Sequence, residues 1–155
     1  LIGINTHRAN RIVEHALINK LINELKNIKS IKSEFKYSKD TRFDFLCDNN
    51  IVEVKNVTLT RENKVAEFPD AITARGTKHL INLINSTKKG FIPYVLFLTQ
   101  IEDIEYFKIA KDIDNDYYKN YLIAQNSGVN FLAYRCKLNS KEIKVEKKIK
   151  IIDEK

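Results

Sequence analysis

The chain is organised around residues 43–55, where apolar and polar side chains alternate on both sides of a short polar centre: Phe43-Asp44-Phe45-Leu46-Cys47-Asp48-Asn49-Asn50-Ile51-Val52-Glu53-Val54-Lys55. This pattern is typical of two short strands joined by a tight turn. We place the turn at Asn49 and Asn50, because Asn adopts positive φ more readily than most residues. Asp44 then lies opposite Lys55 across the hairpin.

The polar residues of this hairpin are expected to share one face of a sheet. Successive strand residues alternate faces, so Glu53 and Lys55 point one way while Val52 and Val54 point the other. Directly opposed residues share a face, which brings Asp44 to the same side. Two carboxylates and an amine at this spacing can hold a divalent cation and a water beside a phosphate. Solvated or salt-bridged surface strands show the same pattern by chance, so the hairpin alone leaves both interpretations open.

The length and composition indicate one globular domain over residues 1–155. The chain is 43% hydrophobic and 30% charged, which is the usual balance of a soluble protein with a real core. It has no apolar run long enough to span a bilayer and no secretory signal pattern, so no membrane partner is expected. Cys47 and Cys136 lack metal-ligand spacing, and we expect them to be buried, reduced thiols of a cytoplasmic protein.

The charge balance favours a polyanionic partner, with nucleic acid first. The formal net charge is +7 and the sequence pI is about 9.3. Residues 1–39 hold eight Lys or Arg and three Asp or Glu, whereas residues 40–136 are near balance. Because an abundance of Lys raises the pI by itself, the uneven distribution is the more informative feature.

An amphipathic helix is predicted before the hairpin, over residues 11–26 with Asn10 as its cap. Glu14 lies in the middle of the apolar arc of this helix. A carboxylate on a buried face is costly unless it meets a cation, a metal or strong donors, so Glu14 is a candidate site residue. A first-turn Glu at the margin of the core, favoured by the helix dipole, explains the same position without a ligand.

The remaining pattern predicts an α/β fold, with a mixed central β-sheet flanked by helices. We expect a strand at 31–37, extension of the second hairpin strand to 59, a short strand at 65–68, a helix at 70–88 capped by Asp70, a buried strand at 91–99, an irregular segment at 101–113, a helix at 114–126, and strands at 129–136 and 142–151. This order of elements is also that of the restriction-endonuclease-like PD-(D/E)xK nuclease core.

Several ordered motifs resemble the sugar fermentation stimulation protein A (SfsA) family. They are Asn5-Thr6 with Asn10-Arg11, Arg42-Phe43-Asp44-Phe45, Val52 to Leu59, Phe68-Pro69-Asp70-Ala71 with Thr73, Arg75-Gly76, Lys78-His79-Leu80, Gly128-Val129 and Ala133-Tyr134-Arg135-Cys136. The resemblance covers essentially the whole chain and corresponds to the larger C-terminal part of the family. It implies a PD-(D/E)xK-like domain, and the family's small N-terminal OB-like barrel is expected to be absent from this chain.

The resemblance also implies a site and a partner. Asp44, Glu53 and Lys55 match the nuclease-like catalytic triad, with Glu14 as the helix carboxylate. Asp44 and Glu53 are the implied ligands of Mg²⁺ or Mn²⁺. The implied partner is DNA, bound without sequence specificity, and the implied role is linked to regulation of sugar (maltose) metabolism.

Basic residues on the first two helices are the candidate DNA contacts: Arg8, Arg11, Arg75 and Lys78. Arg75 and Lys78 lie near the start of the second helix, where they can meet a phosphate. Charged helix faces are more often simply solvated, which is the alternative at these positions. His79 lies beside them but has no ligand-like spacing to another His.

Three functions are compatible with these residues. In the first, Asp44 and Glu53 bind the metal and Lys55 positions the water that hydrolyses a phosphodiester. In the second, the chain is a non-enzymatic DNA-binding regulator that keeps the nuclease fold. In the third, the chain acts on a small phosphorylated metabolite, and its binding is then independent of DNA length.

Overall fold

A computed structural model describes residues 6–139 and 142–153, so the predicted motif residue Asn5 lies outside the described residues. The helices are α1 Thr6–Ile18, α2 Ala74–Lys88 and α3 Asn115–Asn126. The strands are β1 Ile31–Ser38, β2 Thr41–Cys47, β3 Asn50–Val57, β4 Leu59–Glu62, β5 Val65–Phe68, β6 Ile92–Thr99, β7 Tyr106–Ile109, β8 Asn130–Leu138, β9 Ile143–Lys148 and β10 Lys150–Ile151. Over the described ranges, every helix falls short of the length and apolarity that crossing a bilayer requires.

The strands form two sheets, where the sequence predicted one. The larger sheet has the order β1-β2-β3-β6-β8-β9, with β3, β6 and β8 parallel and the other neighbours antiparallel. The smaller sheet has the order β10-β7-β5-β4. It exists because the segment predicted as irregular contains β7, whose backbone pairs with both β5 and β10.

Both faces of the larger sheet are covered, which explains why its central strand β6 is apolar along most of its length. α1 packs on one face through an apolar cluster that includes Leu17 and Leu98. α2, α3 and the smaller sheet pack on the other face through a cluster that includes Leu83, Phe97 and Tyr121. The mixed α/β architecture with flanking helices is confirmed.

The first helix differs from its predicted bounds. α1 is already helical at Thr6, so Asn10 lies inside it and is not its cap. The helix ends at Ile18, and Lys20 adopts a left-handed backbone with a φ of 59°. Leu21 is therefore outside the helix and is 41% exposed, whereas the predicted arc placed it in the core.

The second helix begins at Ala74 and not near Asp70 as predicted. Thr73 is the cap, because its Oγ1 accepts the backbone N–H three residues further on, at 2.9 Å. The carboxylate of Asp114 caps α3 by accepting the Tyr117 N–H at 3.0 Å, and it also accepts the Thr73 N–H at 2.8 Å. One buried carboxylate thus joins the starts of both helices and fixes the first turn of α2 against the sheet.

The turn of the central hairpin lies at Asp48 and Asn49, one residue earlier than predicted. Asp48 has a φ of 53°, and its carboxylate accepts backbone N–H groups of Lys29 at 3.0 Å and Ser30 at 2.9 Å. These donors come from the segment before β1, which the sequence pattern of the hairpin could not include. The turn position is therefore decided by a tertiary contact.

Candidate active site

The earlier turn changes the pairing of the hairpin. Phe45 pairs with Val52, and the same register continued by one step sets Asp44 opposite Glu53. The predicted pairing of Asp44 with Lys55 is therefore wrong by two residues. The shift leaves Glu53 and Lys55 on their predicted common face. The alternation of β2 breaks at Asp44, because Phe43 and Phe45 on either side of it belong to apolar clusters on opposite faces of the sheet.

The site lies where β2 and β3 separate. Their backbone pairing ends at Phe45 and Val52. Beyond that pair the backbone of β3 is bonded by a side chain, because Asp44 Oδ2 accepts the Val54 N–H at 2.7 Å. The backbone N–H of Asp44 lies 3.3 Å from Glu53 Oε1. A side-chain carboxyl group thus fills the gap between the strands and lies against the neighbouring carboxylate.

The strand on the other side of Asp44 is also irregular. Glu34 would pair with Asp44, but it has a φ of 53° and is missing from the ladder, although Ser33 and Phe35 beside it are paired. Such a conformation costs a non-glycine residue about 1–2 kcal/mol. The sheet is therefore open on both sides of Asp44, at a local cost in backbone energy.

Helix α1 holds Asp44 from the opposite face. We call Asp44 and Glu53 the acidic pair. Asn10 donates from Nδ2 to Asp44 Oδ1 at 2.9 Å, so the predicted cap residue contacts the acidic pair. Glu14 lies one turn further along α1 and is half-buried. It lines an adjoining cavity of about 400 Å³ together with Arg11 and Asp44.

Glu53 is 4% exposed and contacts two nitrogen-bearing side chains. Its Oε2 lies 3.3 Å from Lys55 Nζ and 2.6 Å from His79 Nδ1. Lys55 Nζ and His79 Nδ1 are themselves 3.0 Å apart. The shortest of these three contacts assigns a proton to Nδ1, which donates to the Glu53 carboxylate whether the imidazole is neutral or charged.

The two carboxyl groups have pKa values shifted in opposite directions. Burial and the adjacent charge of Glu53 raise the pKa of Asp44 to about 7. Burial also acts to raise the pKa of Glu53, but the hydrogen bond from His79 and the charge of Lys55 outweigh it and lower that pKa to about 2. Below neutral pH the pair therefore keeps one proton, which resides on Asp44.

The acidic pair opens into a cavity of about 660 Å³. Its polar lining consists of Asn10, Glu34, Arg42, Asp44, Glu53, Lys55, Asn56, Thr58, Asp70, Arg75 and His79. Of the predicted DNA contacts, Arg75 lines this cavity and Lys78 lines an adjacent one. Arg11 lines the cavity beside Glu14, and Arg8 is exposed on α1.

The donor set of the site suits a hard divalent cation. In residues 6–139 and 142–153, no three His, Cys, Asp or Glu side chains are grouped so that they could hold a metal ion. Asp44 and Glu53 are two adjacent carboxylates, which is the set that Mg²⁺ or Mn²⁺ accepts when water and phosphate supply the other ligands. The residues present therefore fit such an ion.

His79 and Arg42 line the cavity but were not among the predicted site residues. His79 follows Arg75 by four residues, so both project from the same face of α2. This spacing, and the place of His79 in the family motif Lys78-His79-Leu80, were the signals in the sequence that could have linked His79 to the site. Arg42 lies on β2 two residues before Asp44, and the opening of the strands at Asp44 brings it to the cavity.

Comparison with known proteins identifies the family. Residues 7–142 match the family model described as the sugar fermentation stimulation protein RE domain. The chain belongs to the SfsA family. The resemblance found in the sequence motifs is thereby confirmed.

The SfsA chain has curated relatives in several bacteria. The sugar fermentation stimulation protein homolog of Pelagibacter ubique is 61% identical over 157 residues, which cover 99% of this chain and 68% of the relative. The homolog of Brucella anthropi is 40% identical over 148 residues, which cover 92% of this chain and 64% of the relative. The chain thus spans about two thirds of the length of the curated relatives it matches.

A solved SfsA structure has the same fold. The structure of Pyrococcus furiosus SfsA in complex with Ca²⁺ matches with a TM-score of 0.87 at 26% sequence identity. The match covers 97% of this chain and 66% of that one. The two sheets and three helices described above are therefore an SfsA fold.

Proposed function

We propose that this SfsA chain is a DNA-binding domain with a divalent-metal-dependent, nuclease-like site of the PD-(D/E)xK type that hydrolyses phosphodiester bonds. The observation that carries the proposal is the meeting of Asp44, Glu53 and Lys55 in one cavity of about 660 Å³. All three come from one hairpin, and the carboxyl groups of Asp44 and Glu53 are adjacent.

Asp44 and Glu53 are the proposed ligands of Mg²⁺ or Mn²⁺. When bound, such a cation lowers the pKa of a water and offsets negative charge on the phosphate. The SfsA of P. furiosus was solved with Ca²⁺, another hard cation that prefers carboxylate oxygens, and this supports the choice of metal class. Burial and the charge of Glu53 raise the pKa of Asp44, and this also supports the choice, since a bound cation offsets both effects.

Other side chains of the cavity have separate proposed roles in positioning water, the carboxylates and the phosphate. Lys55, whose Nζ lies 3.3 Å from Glu53 Oε2, orients the attacking water and stabilises charge on the phosphate. His79 holds the Glu53 carboxylate through its Nδ1, and Asn10 holds that of Asp44. Arg42 and Arg75 line the same cavity and bind the phosphate.

DNA is the proposed partner, bound through its backbone and without sequence preference. Arg11, Arg75 and Lys78 are exposed and line the cavities around the acidic pair, where they contact phosphates. A cytoplasmic location, where bacterial DNA lies, belongs to the same proposal. A link to regulation of sugar metabolism follows from the family's name and is proposed on that ground.

A non-enzymatic DNA-binding regulator is the second candidate. It is favoured by the contacts of Glu53 Oε2 with Lys55 and His79, because an oxygen held by these two groups is less available to bind a metal ion. It is also favoured by the geometry of the described part of the chain, where no group of three or more His, Cys, Asp or Glu side chains is placed so that it could hold a metal ion.

Incubation of the purified chain with plasmid DNA separates the two candidates. The parent is expected to cleave with Mn²⁺ and to be inactive in EDTA. Lys55→Ala is expected to reduce the rate by about 10²-fold or more, the usual loss on removal of a positioned proton-transfer or charge-stabilising group. Equal cleavage by Lys55→Ala and the parent would rule out the assigned mechanism. Salt-sensitive DNA binding without cleavage by the parent would favour the regulator.

A further inference from the structure

A second cavity, of about 430 Å³, opens beside the acidic pair. Its charged lining residues are Lys39, Asp40, Arg42, Arg75 and Lys78, and we call it the basic cleft. Four side chains carry positive charge and one carries negative charge, so the potential in the basic cleft is positive. We propose that the basic cleft is a phosphate subsite that binds the DNA phosphate next to the one at Asp44 and Glu53. This inference rests on the DNA-binding part of the proposed function.

The cations of the basic cleft lack acidic partners, which is the first argument for a ligand. Within the described residues, no side-chain hydrogen bond or ion pair is formed by Lys39, Arg42, Arg75 or Lys78. Two arginines elsewhere are paired: Arg61 contacts the Glu67 and Asp112 carboxylates at 2.6 and 2.7 Å, and Arg135 contacts Glu146 at 2.8 Å. Unpaired like charges on one cavity wall repel each other, and an anion between them removes that cost.

The connection between the two cavities is the second argument. Arg42, Arg75 and His79 line both the basic cleft and the cavity of the acidic pair, whereas Lys39 and Lys78 line only the basic cleft. A strand with one phosphate at the acidic pair thus passes Arg42 and Arg75 and reaches Lys39 and Lys78 with its next phosphate. A continuous polyanion fits this path better than a small phosphorylated molecule, which would occupy one cavity.

The salt dependence of DNA binding tests the subsite without any catalytic step. The full chain is titrated into a labelled 20-base-pair duplex in EDTA at several NaCl concentrations, and the slope of log K against log salt is compared between variants. The double variant Lys39→Ala/Lys78→Ala removes two phosphate contacts of the basic cleft. We expect the slope to weaken by about 1.8, which corresponds to about a 60-fold loss of affinity at 0.1 M salt.

A matched double variant removes the same charge from the opposite edge of the sheet. Lys137→Ala/Lys147→Ala lies on β8 and β9, at the edge of the sheet far from β1, and both lysines are exposed, so the slope is expected to stay close to that of the parent. Lys39→Arg/Lys78→Arg keeps both charges and is expected to retain the parent slope, which separates a lost contact from a folding defect. Equal losses in the two alanine variants would overturn the subsite, because net charge alone would explain them.

Competition by inorganic phosphate distinguishes the source of the anion. At matched ionic strength, phosphate is expected to displace the duplex no better than chloride does. Selective displacement from the parent but not from Lys39→Ala/Lys78→Ala would make the basic cleft a site for free phosphate, and it would overturn the proposal. A parent that binds DNA with the expected slopes but never cleaves it counts against the proposed hydrolysis and leaves the subsite standing.

Discussion

The replacement Asp44→Asn is expected to remove a loss of stability that the metal-free protein otherwise shows as the pH rises from about 4 to about 7. In the parent, burial and the charge of Glu53 raise the pKa of Asp44 from 3.8 to about 7. A carboxyl group whose pKa is raised by folding favours the folded state while it is protonated. This contribution is fully present below about pH 4, falls as the pH rises, and is lost completely above about pH 7.

The size of the effect follows from the shift. A difference of about three pKa units, at 1.36 kcal/mol per unit, gives a loss of about 4 kcal/mol between the two limits. The steepest part of the curve is about 1.4 kcal/mol per pH unit. Asn cannot accept both hydrogen bonds that Asp44 accepts, from Val54 and Asn10, and the lost bond costs about 1 kcal/mol at every pH. That cost moves the whole curve and leaves its slope unchanged.

Urea unfolding in EDTA measures the difference directly. The free energy of unfolding of the parent minus that of Asp44→Asn should fall by about 4 kcal/mol from pH 4 to pH 8. Glu142→Gln, which removes an exposed carboxylate far from the site, controls for the loss of a charge. A parent-minus-Asp44→Asn difference that stays within about 1 kcal/mol over this range would refute the argument from burial and repulsion.

Three further substitutions test the contacts around the site. His79→Ala is expected to lower Mn²⁺-dependent DNA cleavage by about 10- to 100-fold. His79→Asn keeps a donor near the position of Nδ1 and should recover most of the rate. Equal rates for the two variants would show that the hydrogen bond to Glu53 is not the cause of the loss. Asp114→Ala should cost about 2–3 kcal/mol in urea unfolding, because it removes the cap of α3 and the acceptor of the Thr73 N–H. Lys64→Gly should stabilise the protein by about 0.5–1 kcal/mol, since Lys64 has a φ of 64° in the turn between β4 and β5; a lower melting temperature would contradict this.

The sequence predicted the contents of the site better than its pairing. The faces of Glu53 and Lys55 follow from the two-residue period of a strand, which is a local property. The register depended on which residues form the turn, and that was settled by hydrogen bonds from Lys29 and Ser30 to Asp48. The error was two residues, and Asp44 still lies beside Glu53, although β2 changes face at Asp44 in a way that no strand period predicts.

The partners of the acidic pair were harder to predict, because they come from helices whose position depends on packing. Asn10 was assigned as a cap, since the residues that extend α1 towards its start have no strong periodic pattern. His79 contacts Glu53 because the first turn of α2 is fixed by Thr73 and Asp114. The contact between His79 and Glu53 thus depends on β3, on the start of α2 and on Asp114, and no pattern within α2 alone could predict it.

The charges of this chain fall into two classes with different physical consequences. In the cluster of Arg61 with Glu67 and Asp112, each charged group contacts a group of opposite charge at 2.6 to 2.7 Å, as expected for groups that support the fold. Around Asp44, the ladder of β2 and β3 is cut short, Glu34 has positive φ, and a second carboxyl group lies adjacent. Each of these features costs folding free energy, and the hydrogen bonds that Asp44 accepts from Val54 and Asn10 offset part of that cost. The carboxyl group of Asp44 is thus buried beside a second carboxyl group, where the proposed divalent cation would relieve the repulsion between them.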